Sequence, residues 1–252
     1  MLSEIKKISS LLLSVAFSSI GFIASITVTV LAAREVSSNP LFVGFPNAVG
    51  VGGAVLGTRM IYLISKNNSQ LNALAFTFLI GAFGGAIMFY SLIVDSFVLL
   101  LFGAFILGIG QSATLQTRYA ASFVASEKFK ATALSLAVWF SVFGSVFGPR
   151  MVGGYSNFFE NIFNSELIVG YVIALVGMLF AASSLFIFTS KKSILRSPSN
   201  LESELSNQNS NKKNGNLLSL LLVLNHFTMV VIMSATPLHI QDIGETVQLV
   251  GI

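Results

Sequence analysis

The sequence predicts an all-α polytopic membrane protein, and three observations predict it. Hydrophobic side chains make up 54% of the 252 residues and charged ones only 10%, against about 25% charged in an average soluble domain. Seven apolar runs recur along the chain, each long enough at about 1.5 Å per residue to cross a hydrocarbon core about 30 Å thick. The basic residues fall on alternate connections rather than evenly. A soluble core could not hide this much apolar surface behind so few charges, so lipid is the expected solvent.

The predicted spans cover approximately 8–33, 41–64, 71–93, 97–118, 131–154, 167–189 and 217–236. They are read as helices because a backbone in lipid must pair its polar groups within its own segment, and because they lack the alternation of barrel strands. The first span follows MLSEIKK. At about 26 residues it exceeds the apolar region of a signal peptide, about 7–15, and is read as retained. The second carries Pro46–Asn47 and then GAVLGTRM from Gly53 to Met60. The third carries no charged residue. The fourth holds a Gly-x-Gly at Gly108 and Gly110, followed by Gln111 and Gln116.

The fifth span is interrupted by GSVFGPRMVGG, Gly144 to Gly154. Pro149 removes one amide donor and is expected to bend the helix. Gly144 and Gly148, spaced i, i+4, share a face on which another helix can approach closely. Arg150 is expected near the outer end, where its stem reaches the interface. After the sixth span comes KKSILRSPSNLESELSNQNSNKKNGN, Lys191 to Asn216, a Ser- and Asn-rich stretch nearly free of aromatic residues. Such a composition cannot bury enough surface to fold alone and reads as a tether. The chain thus divides into a six-helix bundle at 1–189, a flexible loop at 190–216, and a seventh span with the start of a second set at 217–252.

Charge sets the orientation. With the N-terminus inside, twelve of the fourteen Lys and Arg residues face the cytoplasm: Lys6, Lys7, Arg59, Lys66, Arg118, Lys128, Lys130, Lys191, Lys192, Arg196, Lys212 and Lys213. Only Arg34 and Arg150 fall outside. This is the positive-inside pattern, so the +4 net charge reads as topology and gives no support to nucleic-acid binding. Arg118, Lys128 and Lys130 are placed at the cytoplasmic junction between spans four and five.

GAVLGTRM and GSVFGPRM match at five of eight positions, 91 residues apart. One copy lies in span two and the other in span five, which cross in opposite directions. This is the pattern of two inverted three-helix repeats.

These features together resemble the major facilitator superfamily. GSVFGPRMVGG is similar to that superfamily's helix-five signature: Gly144, Gly148, Pro149 and Gly153 match, Gly154 is displaced by one position, and Val152 and Ser135 stand at glycine positions. RYAASFVASEKFKATALSL, from Arg118, and HFTMVVIMSATPLHI, from His226, are similar to segments of bacterial members. The resemblance implies alternating access by two six-helix halves in a bacterial inner membrane, with the N-terminus and the long loop cytoplasmic. It also implies that this chain is the N-terminal half plus helix seven, a fragment inactive alone. A second six-helix half would come from a longer chain or another subunit. Two departures are visible: the second connection, GTRMIYLISKNNSQ, lacks the family's Asp, and no arginine precedes Gly108 in FGAFIL. The roles that the family gives those residues, in gating and in proton antiport, are therefore not expected here.

Cavity candidates are polar residues within the spans: Asn47 beside Pro46 in the second, Gln111 and Gln116 in the fourth, and Asn225 and His226 in the seventh. Gln111 is preferred because the Gly-x-Gly before it permits close approach. No Ser/His/Asp arrangement, phosphate loop or metal-ligand cluster is present in the sequence, so neither catalysis nor a cofactor is expected. The small-molecule substrate, its coupling ion and the direction of transport are not legible. The same features also fit a non-transporting membrane interaction or assembly protein, including a self-associating half-transporter.

Overall fold

The computed structural model describes residues 2–37, 42–67, 69–163, 165–188 and 228. Its elements are α1 (Leu2–Val36), α2 (Phe45–Asn67), α3 (Gln70–Ile93), α4 (Phe97–Val124), a 3₁₀ turn (Glu127–Phe129), α5 (Lys130–Phe163) and α6 (Ile168–Phe188). Among the described residues there is no strand, and all six helices are long and apolar enough to cross a membrane. The chain is a multi-pass, all-α membrane protein, as predicted. The tether and the seventh span, with Asn225 and His226, lie outside the described residues apart from Thr228.

Two helices run furthest past the C-terminal ends read from the sequence. The fourth span was expected to close at Arg118 and the fifth at Gly154, but α4 continues to Val124 and α5 to Phe163. A polar residue ends an apolar run without ending a helix, whose backbone bonds continue into the headgroup layer. At 34 residues α5 is about 51 Å long, well beyond a hydrocarbon core of about 30 Å. Its last turns expose Tyr155, Phe158 and Phe163, and Tyr is a residue type that favours the membrane–water interface. Arg150 consequently stands well inside the helix rather than at its end. Pro149 does not interrupt α5, which is helical on both sides of it.

The α3–α4 connection shows how a short turn is specified. Val94 N–H donates to the Tyr90 carbonyl at 3.2 Å and closes α3. Asp95 then takes φ 48°, the left-handed region that Asp tolerates better than most residues. Ser96 begins α4, its hydroxyl accepting from Leu99 N–H at 3.5 Å.

Packing sorts the helices into four inner and two outer. α1 packs on α6 and α5, α3 on α4 and α6, and α2 on α4, while α1 also meets α4. About half or more of each apolar window is buried in α1, α3, α4 and α6, but only 22% in α2 and in α5. The outer pair therefore each rest mainly on one neighbour. Helices in lipid gain little from apolar burial and associate by close van der Waals contact, which small residues allow. At the α2–α4 seam a Cβ on Gly108 would fall on the Gly50 carbonyl oxygen. At the α1–α5 seam one on Gly144 would lie 2.6 Å from the Ser19 carbonyl carbon. The close approach expected at Gly144 and Gly148 is thus present, both being buried against α1.

Hydroxyls inside the bundle mostly return to their own helix. Ser14, Ser18, Ser25, Thr27 and Thr29 of α1 donate to carbonyls three or four residues back, as do Thr77, Ser91, Ser112 and Thr117. Where no water enters, an unpaired hydroxyl is costly, and the i−3 or i−4 carbonyl is the nearest acceptor. Tyr171, fully buried in α6, donates across to Thr29 Oγ1 at 3.5 Å.

At the α5–α6 junction Glu166 is half-buried, and burial pushes its carboxyl above the ordinary range, with Glu160 adding to the shift. A raised carboxyl favours the fold while protonated, and that contribution disappears as pH rises through the folded value. Glu166→Gln is therefore expected to raise the melting temperature in detergent at pH 7. The gain should vanish below about pH 4, where the carboxyl is protonated in both states.

Candidate functional site

A cavity of about 300 Å³ lies between α1, α2 and α4, with Met88 of α3 at its back. Each helix contributes one face, and the spacing of the residues explains which face. On α4 the stripe Gln111, Thr114, Leu115 and Arg118 follows the i, i+3, i+4, i+7 rule, so all four look the same way. On α1, Ser19, Phe22, Ile26 and Thr29 do the same. On α2 the first turns supply Pro46, Asn47, Gly50 and Val51. The α2–α4 seam at Gly50 and Gly108 closes one side, because two backbones meet there with no side chain between them.

Two of the polar residues picked from the sequence, Asn47 and Gln111, line this cavity. Gln116 does not. It follows Gln111 by five residues, which turns it about 140° away on a helix of 3.6 residues per turn. Arg118 does line it, although the charge pattern had placed it only at the cytoplasmic junction. The continuation of α4 to Val124 keeps Arg118 helical and in register with Gln111 and Thr114. Lys128 remains in the connection and Lys130 opens α5, pairing with Glu127 at 2.7 Å. Both partners of that pair are exposed, so it adds little stability.

Of the helix-five signature residues, Gly144 and Gly148 pack on α1. Gly153 accepts a hydrogen bond from Ser156 Oγ at 3.1 Å through its carbonyl. Gly154 is exposed with open space beside it, so close packing does not account for it. The signature serves the α1–α5 seam and sets the position of the α1 wall, without entering the cavity.

The chemistry of the cavity is uneven. Most of its lining is apolar, with Phe22, Ile23, Ile26, Val51, Leu107 and Leu115 prominent. Among the described residues, Arg118 is the one charged residue that lines it and no carboxylate does. Five buried side-chain atoms among the described residues have no hydrogen-bond partner: Ser19 Oγ, Ser69 Oγ, Thr114 Oγ1, Arg118 Nε and Ser165 Oγ. The three that sit inside helices, on Ser19, Thr114 and Arg118, all line this one cavity. Everywhere else in the helices where a serine or threonine bond is described, the hydroxyl has a carbonyl of its own. The site is an apolar hollow with a few convergent polar groups, the usual make-up of a small-molecule site.

No family model and no solved structure matches the chain. The MFS-type transporter YdeG of Bacillus subtilis (strain 168) is 27% identical over 250 residues, 95% of this chain and 58% of that protein. The MFS-type transporter YddS of the same organism is 28% identical over 258 residues, 98% of this chain and 59% of that protein. The chain therefore spans a little over half the length of the curated relatives it matches. Along nearly all of its own length, the chain is a sequence relative of transporters of the major facilitator type, the likeness that its motifs imply.

Proposed function

We propose that this chain forms one six-helix half of a secondary transporter in a bacterial inner membrane, moving a small solute by alternating access. The single observation that carries the reading is the α1–α2–α4 cavity, apolar overall but edged by Asn47, Gln111, Thr114 and Arg118. The names of the two relatives support it. The shallow burial of α2 and α5 supports it as well, since a second helical unit has open faces to meet there. In this reading that second unit, from further chain or another subunit, completes the cavity, and the present helices alone do not transport.

The helix pairing also supports two inverted three-helix repeats. Exchanging α1 with α4, α2 with α5 and α3 with α6 turns the α1–α5 contact into α4–α2 and the α1–α6 contact into α4–α3. The α3–α6 and α1–α4 contacts map onto themselves. The two matching octapeptides follow the same exchange: Gly53 and Gly57 press on α4, and Gly144 and Gly148 press on α1. Each copy thus does the same job against the counterpart helix.

Flux into proteoliposomes tests the proposal. This chain alone is expected to give no uptake above empty vesicles. Co-reconstitution with the portion of a relative that the match leaves uncovered is expected to restore solute-dependent uptake. A stable assembly of this chain with itself or another protein, with no flux in any combination, would favour an assembly role instead.

A further inference from the structure

We infer that the cavity selects a small organic anion, its acid group held at Arg118 and its apolar body lying against Ile26 and Leu115. The inference rests on the transport reading above and names the substrate class of that same site. Three observations carry it. Arg118 is the only charged residue that lines the cavity, and it forms no ion pair or hydrogen bond among the described residues. A guanidinium keeps its charge under all relevant conditions, so a partly buried one with no partner calls for an anion. Ser19 and Thr114, each only 3% exposed, line the same hollow with hydroxyls that donate to nothing. A hydroxyl that a helix carbonyl could have satisfied, as at Thr117 one turn away, is left unpaired here. Donors without acceptors, beside a fixed positive charge, are the complement of an acid group. Among the described residues no carboxylate stands in the lining to offer a cation a counterpart. The remaining wall is apolar, which sets the rest of the ligand: a hydrocarbon body rather than a sugar.

The acid could be a free solute or the head of an anionic lipid, since both present the same group. The assignment made here is to a free solute, and the test separates the two. The chain is purified in phosphatidylcholine nanodiscs, and its thermal stabilisation is titrated with benzoate and octanoate and with benzamide and octanamide. At least one acid is expected to bind about tenfold or more tightly than its own amide, the effect of a hydrogen-bonded charge pair. Arg118→Gln should erase that preference and Arg118→Lys should keep part of it. Thr114→Val, which removes an unpaired buried hydroxyl and so leaves the fold intact, should weaken the acid by about threefold or more and leave the amide unchanged. If neither acid surpasses its amide, or if Arg118→Gln keeps the preference, the inference is overturned. If the preference disappears in phosphatidylglycerol nanodiscs, lipid occupies the site and the free-solute assignment is overturned. Flux is read separately, after co-reconstitution as above. Acid-selective binding without flux overturns the transport reading and leaves the anion site standing, whereas flux that ignores charge does the reverse.

Discussion

Gly108→Val is expected to push α2 off α4 and to lower the melting temperature of the chain in detergent by about 5 °C or more. A Cβ at Gly108 falls on the Gly50 carbonyl oxygen, with the Gly50 Cα only 3.0 Å away. One helical turn along the same seam, a Cβ at Gly53 falls on the Phe105 carbonyl. Backbone opposes backbone, so no rotamer change can make room and the two axes must separate. Overpacking of this kind costs about 1–3 kcal/mol or more. In a chain of this size that corresponds to about 5 °C or more in melting temperature. The α2 wall of the cavity shifts with it, so ligand stabilisation should fall too. Gly52→Val is the control, because Gly52 is exposed with nothing within 4 Å of its would-be Cβ. It should change stability by less than about 0.5 kcal/mol. Gly144→Val, against Ser19 on the α1–α5 seam, should behave like Gly108→Val. Equal melting temperatures for the two α2–α4 variants would remove the close-contact account of that seam.

Single-cysteine labelling is expected to give a nearly all-or-none contrast between the two ends of the bundle. The natural chain has no cysteine, so each introduced thiol is the sole target. Val94→Cys lies in the α3–α4 turn and Ser126→Cys just before the 3₁₀ turn, and both positions are exposed. A membrane-impermeant maleimide added to intact cells should modify Val94→Cys and leave Ser126→Cys untouched until the membrane is opened. The physical reason is the distribution of Lys and Arg: twelve are placed on the side that holds Ser126 and two on the other. Labelling in the opposite sense would invert the topology read from the charge distribution.

The six spans were legible because apolar runs in lipid have one backbone solution, and their order follows from the connections. Their ends were less so. Arg118 and Gly154 close an apolar count, yet the helices continue to Val124 and Phe163, because backbone bonding does not depend on side-chain polarity. Gln111 was recognisable as a cavity residue from the Gly-x-Gly before it. Arg118 was read as a marker of membrane side, although its spacing from Gln111 and Thr114 already puts it on the same stripe. Ser19 and Thr114 were not legible at all: whether a buried hydroxyl finds a carbonyl depends on its rotamer and its neighbours. The octapeptide repeat was visible as letters, and only the packing gives its glycines a common physical task.

The hydroxyls of α1 that bond to carbonyls of their own helix have a mechanical consequence. A rod that keeps its polar traffic to itself presents its neighbours with smooth, undirected contact. Tyr171 to Thr29, and Ser184 to Ser10 at 3.4 Å, are long bridges across that surface. Among the hydroxyl links just named, small changes in the depth or rotation of α1 then break only these two long ones, and cohesion there comes mainly from shape. A bundle fastened by fit in place of latches can shear by small amounts and still remain one body.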